Sequence, residues 1–407
     1  MGPPLQGELA VPADSASAAA RHDVVGVTRR LVAASSQNPG EDERAVAFVV
    51  EQLCAELGLP APRRVGVEER PNLLVEVPFG TGGRRLGLCA HTDTKPVGDG
   101  EWSTDPLDVA QVDGELRGLG VVDMKGALAA MLLATADLVA DPPVGGAVLL
   151  VLCADEENGA TFGAQWLAEN ARPDVDGVVI GEPGGLFEDW DRLHLGSRGI
   201  CNFDVEIVTT QGHSGLRDVF GLVSATELAA RLVVALRERF VPPHPQSSRW
   251  EPTLNPGVVL EGGINYGVVP GRARVASDCR LVPGMNRSAF ESAIRGFVAD
   301  TVDPSARADV VIRNWIPAAT IDDEDPLVAV ARDALAGSRG AVPPDDVFPA
   351  TTDATWFSEI GIPSLPAVGP GLLRYAHGAD ERISVAALEQ ARAVYGALAR
   401  RYCEAAA

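Results

Sequence analysis

The sequence predicts an α/β protein whose largely parallel sheet is interrupted by an α+β insert. Three observations carry that expectation. Up to Gly196, apolar runs of strand length alternate with segments of helical periodicity; past Gly196 the strands become alternating; after Pro317 the first pattern returns.

Taken in order, residues 43–58 place Val46, Val49, Val50, Leu53, Cys54 and Leu57 at helical spacing, and Gly58 with Pro60 ends the pattern. Strand-length runs follow at 72–77 and 86–90, then an Ala/Leu-rich helix at 125–139. A strand at 147–153, a helix at 160–170 and a strand at 177–180 continue the alternation. Several of these strands are apolar on both faces, as strands between two helical layers must be. Residues 201–209 then read CNFDVEIVT, alternating polar and apolar. A helix at 223–239, strands at 255–260, 272–281 and 308–313, and a helix at 287–299 complete the insert. Helix 326–336, strand 364–368 and helix 385–402 close the chain. The expected organisation is one domain from 1–196 plus 318–407 and an inserted one at 197–317.

A chain of 407 residues exceeds what one core usually serves, which agrees with two domains. A net charge of −22 argues against binding nucleic acid or an anionic membrane through a general basic field. The first residues lack the basic start and apolar core of a signal peptide, and no apolar run reaches the roughly 18 residues of a span. The expectation is a cytoplasmic protein with a loose first segment of about 20 residues, the Ser/Ala stretch included. Cys54, Cys89, Cys153, Cys201, Cys279 and Cys403 show no CxxC spacing and read as small core residues of a reducing compartment.

The stretch LVLCADEENG, residues 150–159, drives an apolar strand into Asp155, Glu156 and Glu157. Adjacent carboxylates repel, so either water reaches them or a cation meets them. In a parallel sheet, functional groups gather beyond the carboxyl ends of the strands. Applied here, that rule sends His91 and Asp93, the Asp155–Glu157 cluster, Glu182 and, through Gly369-Pro370-Gly371, His377 to one edge. Mixed imidazole and carboxylate donors suit zinc, cobalt or manganese rather than calcium. Two ions about 3.5 to 4 Å apart need a bridging carboxylate, for which Asp123 in GLGVVDMKG is the candidate. One acid of the cluster would ligate while its neighbour handles protons.

These segments, namely His91-Thr92-Asp93, GVVDMKG around Asp123, DEENG, GEP at Glu182 and AHGADE at His377, together resemble the M20 family of dinuclear zinc peptidases and deacylases. Within it the chain is similar to the carboxypeptidase G2, acetylornithine deacetylase, succinyl-diaminopimelate desuccinylase and aminoacylase group. The resemblance covers nearly the whole chain after about residue 22. It implies a catalytic domain interrupted by a lid and dimerisation domain, with two divalent ions, zinc first and cobalt or manganese as alternatives. One ion would be held by His91 and Glu182, the other by Glu157 and His377, with Asp123 bridging. Glu156 would be the general base, and Asp93 would orient His91. The peptide before Met124 is often cis in the family. His213 in TTQGHSG matches the histidine that reaches a partner subunit's site and stabilises an oxyanion, which implies a homodimer through residues 197–317. Arg280 in SDCRLVPG matches the lid arginine that grips a substrate carboxylate.

One departure stands out. Relatives carry Asn directly before VVPG, where this chain has Gly267, with Asn265 two residues earlier as the available substrate-binding amide. Gly118-Leu119-Gly120 replaces the family's GRG and keeps both glycines. His22, His194 and His244 read as ordinary surface or core residues; Asp353 and Glu381 read as helix caps or as supports of the site. The expected activity is a metal-dependent amidohydrolase acting on an N-acyl amino acid or a C-terminal peptide residue. The alternatives are a dipeptidase, or a non-catalytic relative that binds a small amide or peptide.

Overall fold

The computed structural model describes residues 22–246 and 250–405. The segment expected to be loose lies outside the described residues. Helices α1 (Val24–Ala33) and α2 (Arg44–Glu56) precede strands β1 (Arg63–Gly66), β2 (Pro71–Pro78) and β3 (Arg85–His91). Helix α3 (Lys125–Ala140), β4 (Ala147–Cys153), α4 (Ala164–Asn170) and β5 (Gly177–Ile180) follow. Between them and the last part of the chain come β6 (Gly199–Val208), α5 (Ala225–Arg239), β7 (Thr253–Gly262), β8 (Arg272–Leu281), α6 (Arg287–Thr301) and β9 (Arg307–Ile316). The chain finishes with α7 (Pro326–Arg339), α8 (Ala354–Glu359), β10 (Ser364–Leu365) and α9 (Val385–Glu404).

The main sheet has the order β1-β2-β4-β3-β5-β10. Strands β4, β3, β5 and β10 run parallel, and β2 lies antiparallel to β4, so the sheet is mixed and largely parallel. Its central strands are buried along their whole length, and two apolar layers cover it. On one face sit α1, α3 and α9 with Leu88, Leu150 and Leu152; on the other are Cys89, Val151, Cys153 and Phe357. Helix α3 is apolar nearly all round because it lies between the sheet and α1 and α9, with no face left for solvent.

Residues 199–316 build a second, antiparallel sheet of order β7-β8-β6-β9. Its own core joins Phe203, Val205, Leu232, Val275, Phe290 and Ile294. Strand β7 is an edge of this sheet, and Val258, Val259 and Leu260 on it are 50%, 40% and 51% exposed. Among the described residues, no single helix is long and apolar enough to cross a membrane.

Two local expectations are corrected, and one helix is added. The helix expected from residue 160 begins at Ala164, because Ala160 adopts φ +59° and a turn occupies 160–163. The strand expected at 364–368 has ladder pairing only at Ser364–Leu365. Helix α1, not anticipated, starts on an Asp23 side chain that accepts from the Gly26 N–H, and buries Val24, Val27, Leu31 and Val32.

Candidate metal centre

Register decides what meets at the sheet's carboxyl edge. His91 on β3 is level with Cys153 on β4, and Cys89 is level with Ile180 on β5. The residues just past β4 and β5 therefore emerge beside His91. After β4 the chain turns sharply: Asp155 takes φ +59°, a left-handed conformation that Asp tolerates better than most residues, and a short 3₁₀ turn follows at Glu156–Asn158. The three neighbouring carboxylates diverge as a result. Asp155 turns inward, where it accepts from Asn38 Nδ2 at 2.8 Å and from the Phe162 N–H at 3.2 Å. Glu157 and Glu156 stay at the edge.

Two donor triads share one carboxylate. His91 Nε2 lies 2.9 Å from Asp123 Oδ1 and 3.6 Å from Glu182 Oε1. His377 Nε2 lies 3.0 Å from Asp123 Oδ2 and 3.2 Å from Glu157 Oε2. Each triad, His91/Asp123/Glu182 and Asp123/Glu157/His377, offers ligand atoms that all fall within 4.8 Å of one another. The two Asp123 oxygens thus face different histidines. The Asp123–Met124 peptide is cis.

The electrostatics of the cluster are those of a site built around positive charge. Burial pushes the Glu156 and Glu182 carboxyls well above the usual carboxylate range, with the neighbouring carboxylates adding to it. The hydrogen bonds that its ring donates to the Asp123 and Glu157 carboxylates push the His377 imidazole up to about 10. Burial opposes a charge on His91, yet its contacts with Asp123 and Asp93 hold it well above the usual imidazole value. Buried carboxylates in excess, with imidazoles drawn toward them, are a donor set that divalent cations of the zinc class fit.

A supporting layer fixes these groups. His91 Nδ1 meets the Asp93 carbonyl oxygen at 3.0 Å and the Asp93 carboxylate at 3.5 Å. That carboxylate also accepts from the Glu156 and Glu157 N–H groups at 3.2 and 3.1 Å, which ties the acidic turn to β3. Glu43, read from sequence only as the start of a helix, is buried and accepts from Thr92, Arg70 and the Asp155 N–H, while desolvation pushes its carboxyl up to about 8. Glu381 buttresses the Asp123 loop rather than His377, accepting from the N–H groups of Gly120, Val122 and Asp123 at 3.0, 2.7 and 3.1 Å. Lys95 was also not anticipated; its ammonium lies 3.1 Å from Glu157 Oε2. Asp353 is buried at the start of α8 and makes no capping bond from its side chain.

A cleft of about 600 Å³ opens over the centre, with Glu156, Glu157 and His377 on one wall and Ile200, Arg280 and Asn314 from the second sheet on the other. Arg280 is half-buried and 3.5 Å from Asp278. His213 and Asn265 do not line this cleft. His213 is exposed and its Nδ1 accepts from the Gly215 N–H; Asn265 is exposed and accepts from the Tyr266 N–H. The remaining histidines pair elsewhere, His22 with Glu56, His194 with the Gly184 carbonyl and His244 with Glu251.

Comparison with known proteins bears on the family and the fold. Residues 87–401 match the family described as Peptidase family M20/M25/M40. A succinyl-diaminopimelate desuccinylase of Phenylobacterium zucineum is 30% identical over 388 residues, covering 93% of this chain and 98% of the relative. In fold, the chain resembles aminopeptidase PepT of Bacillus cereus, with a TM-score of 0.74 at 20% identity over 94% of this chain and 98% of that one. It also resembles the M20 family metallo-carboxypeptidase Sso-CP2 of Sulfolobus solfataricus, with a TM-score of 0.73 at 17% identity over 93% of this chain and 99% of that one.

Proposed function

The chain belongs to peptidase family M20/M25/M40, and from that premise we propose that it is a metal-dependent amidohydrolase that releases an amine or amino acid from an N-acyl or peptidyl group. The observation that carries the reading is the shared carboxylate: Asp123 Oδ1 at 2.9 Å from His91 and Oδ2 at 3.0 Å from His377. His91 and Glu182 would hold one ion and Glu157 and His377 the other, with Asp123 between. Zinc suits this donor set first; cobalt and manganese are the alternatives. Bound there, the pair of ions supplies Lewis acidity that polarises an amide carbonyl and makes water a nucleophile at neutral pH.

The chain's own residues do the rest. Glu156 stands in the cleft beside the centre without belonging to either triad. Its carboxylate takes a proton from the attacking water and returns it to the leaving amine. Asp93 holds His91 in orientation. Arg280, on the opposite wall, pairs with a substrate carboxylate. The desuccinylase relative favours an N-acyl amino acid over a dipeptide as substrate.

His213 belongs to this reading only if a second copy brings it to the cleft. Its exposure and its absence from the cleft wall of its own chain, together with the exposed apolar edge strand β7, support a homodimer formed through residues 197–317. The experiment that tests the function pairs elemental analysis with hydrolysis of N-acetyl, N-succinyl and N-formyl amino acids and of dipeptides, before and after chelation. The expected result is at least two metal ions per chain and chelator-sensitive cleavage of one N-acyl class. Intact protein that hydrolyses none of them after zinc or cobalt is restored would overturn the reading in favour of a binding protein.

A further inference from the structure

Directly behind the centre, a second cluster uses sulfur. Cys89 on β3 and Cys153 on β4 are both fully buried, and their Sγ atoms are 3.7 Å apart. Helix α8 brings the buried Asp353 carboxylate against them, so that two sulfurs and one oxygen lie within 4.8 Å of one another. This cluster shares no residue with either triad of the centre. Asp353 Oδ1 is buried without a hydrogen-bond partner, although the start of a helix offers capping bonds to such a side chain. The spacing of the thiols has a second meaning. Zinc binds thiolate at about 2.3 Å in tetrahedral geometry, which sets two ligating sulfurs about 3.8 Å apart, the separation already present here.

We propose that Cys89, Cys153 and Asp353 form a third cation site, for a thiophilic divalent ion of the zinc and cadmium class, in the floor of the cleft. The ion enters past Asp353, which lines the cleft. On binding, two S–H bonds break, two metal–sulfur bonds form, and two protons leave to solvent with no change of oxidation state. The Asp353 carboxylate, which the Cys153 thiol already meets, supplies the third ligand. Selectivity separates this site from the centre, because thiolate prefers softer ions than imidazole and carboxylate do.

The test is a cadmium titration of the zinc-loaded enzyme, read by the ultraviolet thiolate-to-cadmium charge-transfer band. Cadmium that merely displaces zinc from the centre meets no sulfur and gives no band. The expected result is a band that saturates at one cadmium per chain. It should survive in C201S/C279S, which removes the opposed cysteine pair of β6 and β8, and vanish in C89S/C153S while two zinc ions per chain remain at the centre. No band in the intact enzyme, or a band that persists in C89S/C153S, would overturn the site and leave a thiol hydrogen-bonded to a carboxylate. If C89S/C153S does not fold, X-ray absorption on the cadmium-loaded wild type decides: two sulfur neighbours support the site, and a shell of nitrogen and oxygen alone rejects it.

Discussion

Glu156 and Glu157 are adjacent in sequence and alike in chemistry, yet the structure gives them different partners. Glu157 reaches His377 and Lys95, whereas Glu156 faces the cleft and forms no ion pair among the described residues. The left-handed Asp155 makes the difference, by turning the chain before the pair arrives. That divergence leads to a sharp expectation for Glu156→Gln, which keeps shape and hydrogen bonding but removes the base. Loss of a positioned general acid–base lowers turnover by about 10²- to 10⁴-fold. We therefore expect kcat of the Gln variant to fall in that range while elemental analysis still finds the wild-type metal content. A variant that loses metal in step with activity would make Glu156 a ligand and remove it from proton transfer. Gly267 is a second case settled at one residue. Its φ of +77° is a backbone state open to Gly and, among other residues, best tolerated by Asn. Gly267 thus holds a backbone state that the Asn expected from the resemblance would also tolerate, and it lacks only that side chain.

Among elements, the loop from Gly118 to Lys125 depends on a residue far along the chain. Glu381 takes three of its N–H groups, and one of them belongs to Asp123 itself. Removing an outer partner of this kind typically costs about 10- to 100-fold in metal affinity. Glu381→Ala should weaken metal binding by that factor in a chelator-competition assay, with the Glu156 machinery untouched; unchanged affinity would mean that the loop is held by its packing alone. This dependence also shows where sequence reading stops. Apolar runs and helical spacing made the strands at 147–153, 177–180 and 272–281 legible to the residue, and the strand-end rule sent His91, the Asp155–Glu157 cluster, Glu182 and His377 to one edge, with Asp123 read from its own segment as the bridge. Glu43 stayed hidden, and so did the partners of Glu381, because a carboxylate that accepts buried N–H groups looks the same in sequence as one in water. Helix α8 is six residues long, too short for periodicity to declare, so the position of Asp353 beneath the cleft was hidden too. Helix α1 was legible in principle, since Asp23 caps a run with Val24, Val27 and Leu31 at helical spacing.

At the scale of the whole molecule, the second sheet presents a problem that the chain does not solve by itself. Strand β7 is an edge strand with Val258, Val259 and Leu260 exposed, and Ile264 and Tyr266 beyond it are 74% and 100% exposed. An uncovered apolar edge invites pairing, and proteins that keep one usually use it. His213 sits on the same part of the fold, facing solvent, with its histidine ring outside the cleft of its own chain. Both features are explained at once if a second copy covers the edge and receives His213. Leu260→Lys places a charge where that contact would form without touching a buried residue. We expect this variant to sediment as a monomer, to keep its metal, and to lose about 10²- to 10³-fold in kcat, the usual effect of removing one oxyanion donor. His213→Ala should lose the same factor while remaining a dimer. Mixing the two cannot restore activity by exchange of subunits if Leu260→Lys blocks association, whereas His213→Ala mixed with Glu156→Gln should. In that mixed dimer, one site combines an intact Glu156 with the partner's intact His213, so about half of the mixed dimer's sites become competent. Recovery on mixing places the histidine in trans. Its absence, with dimers still formed, would confine His213 to its own chain and leave the exposed edge without a catalytic reason.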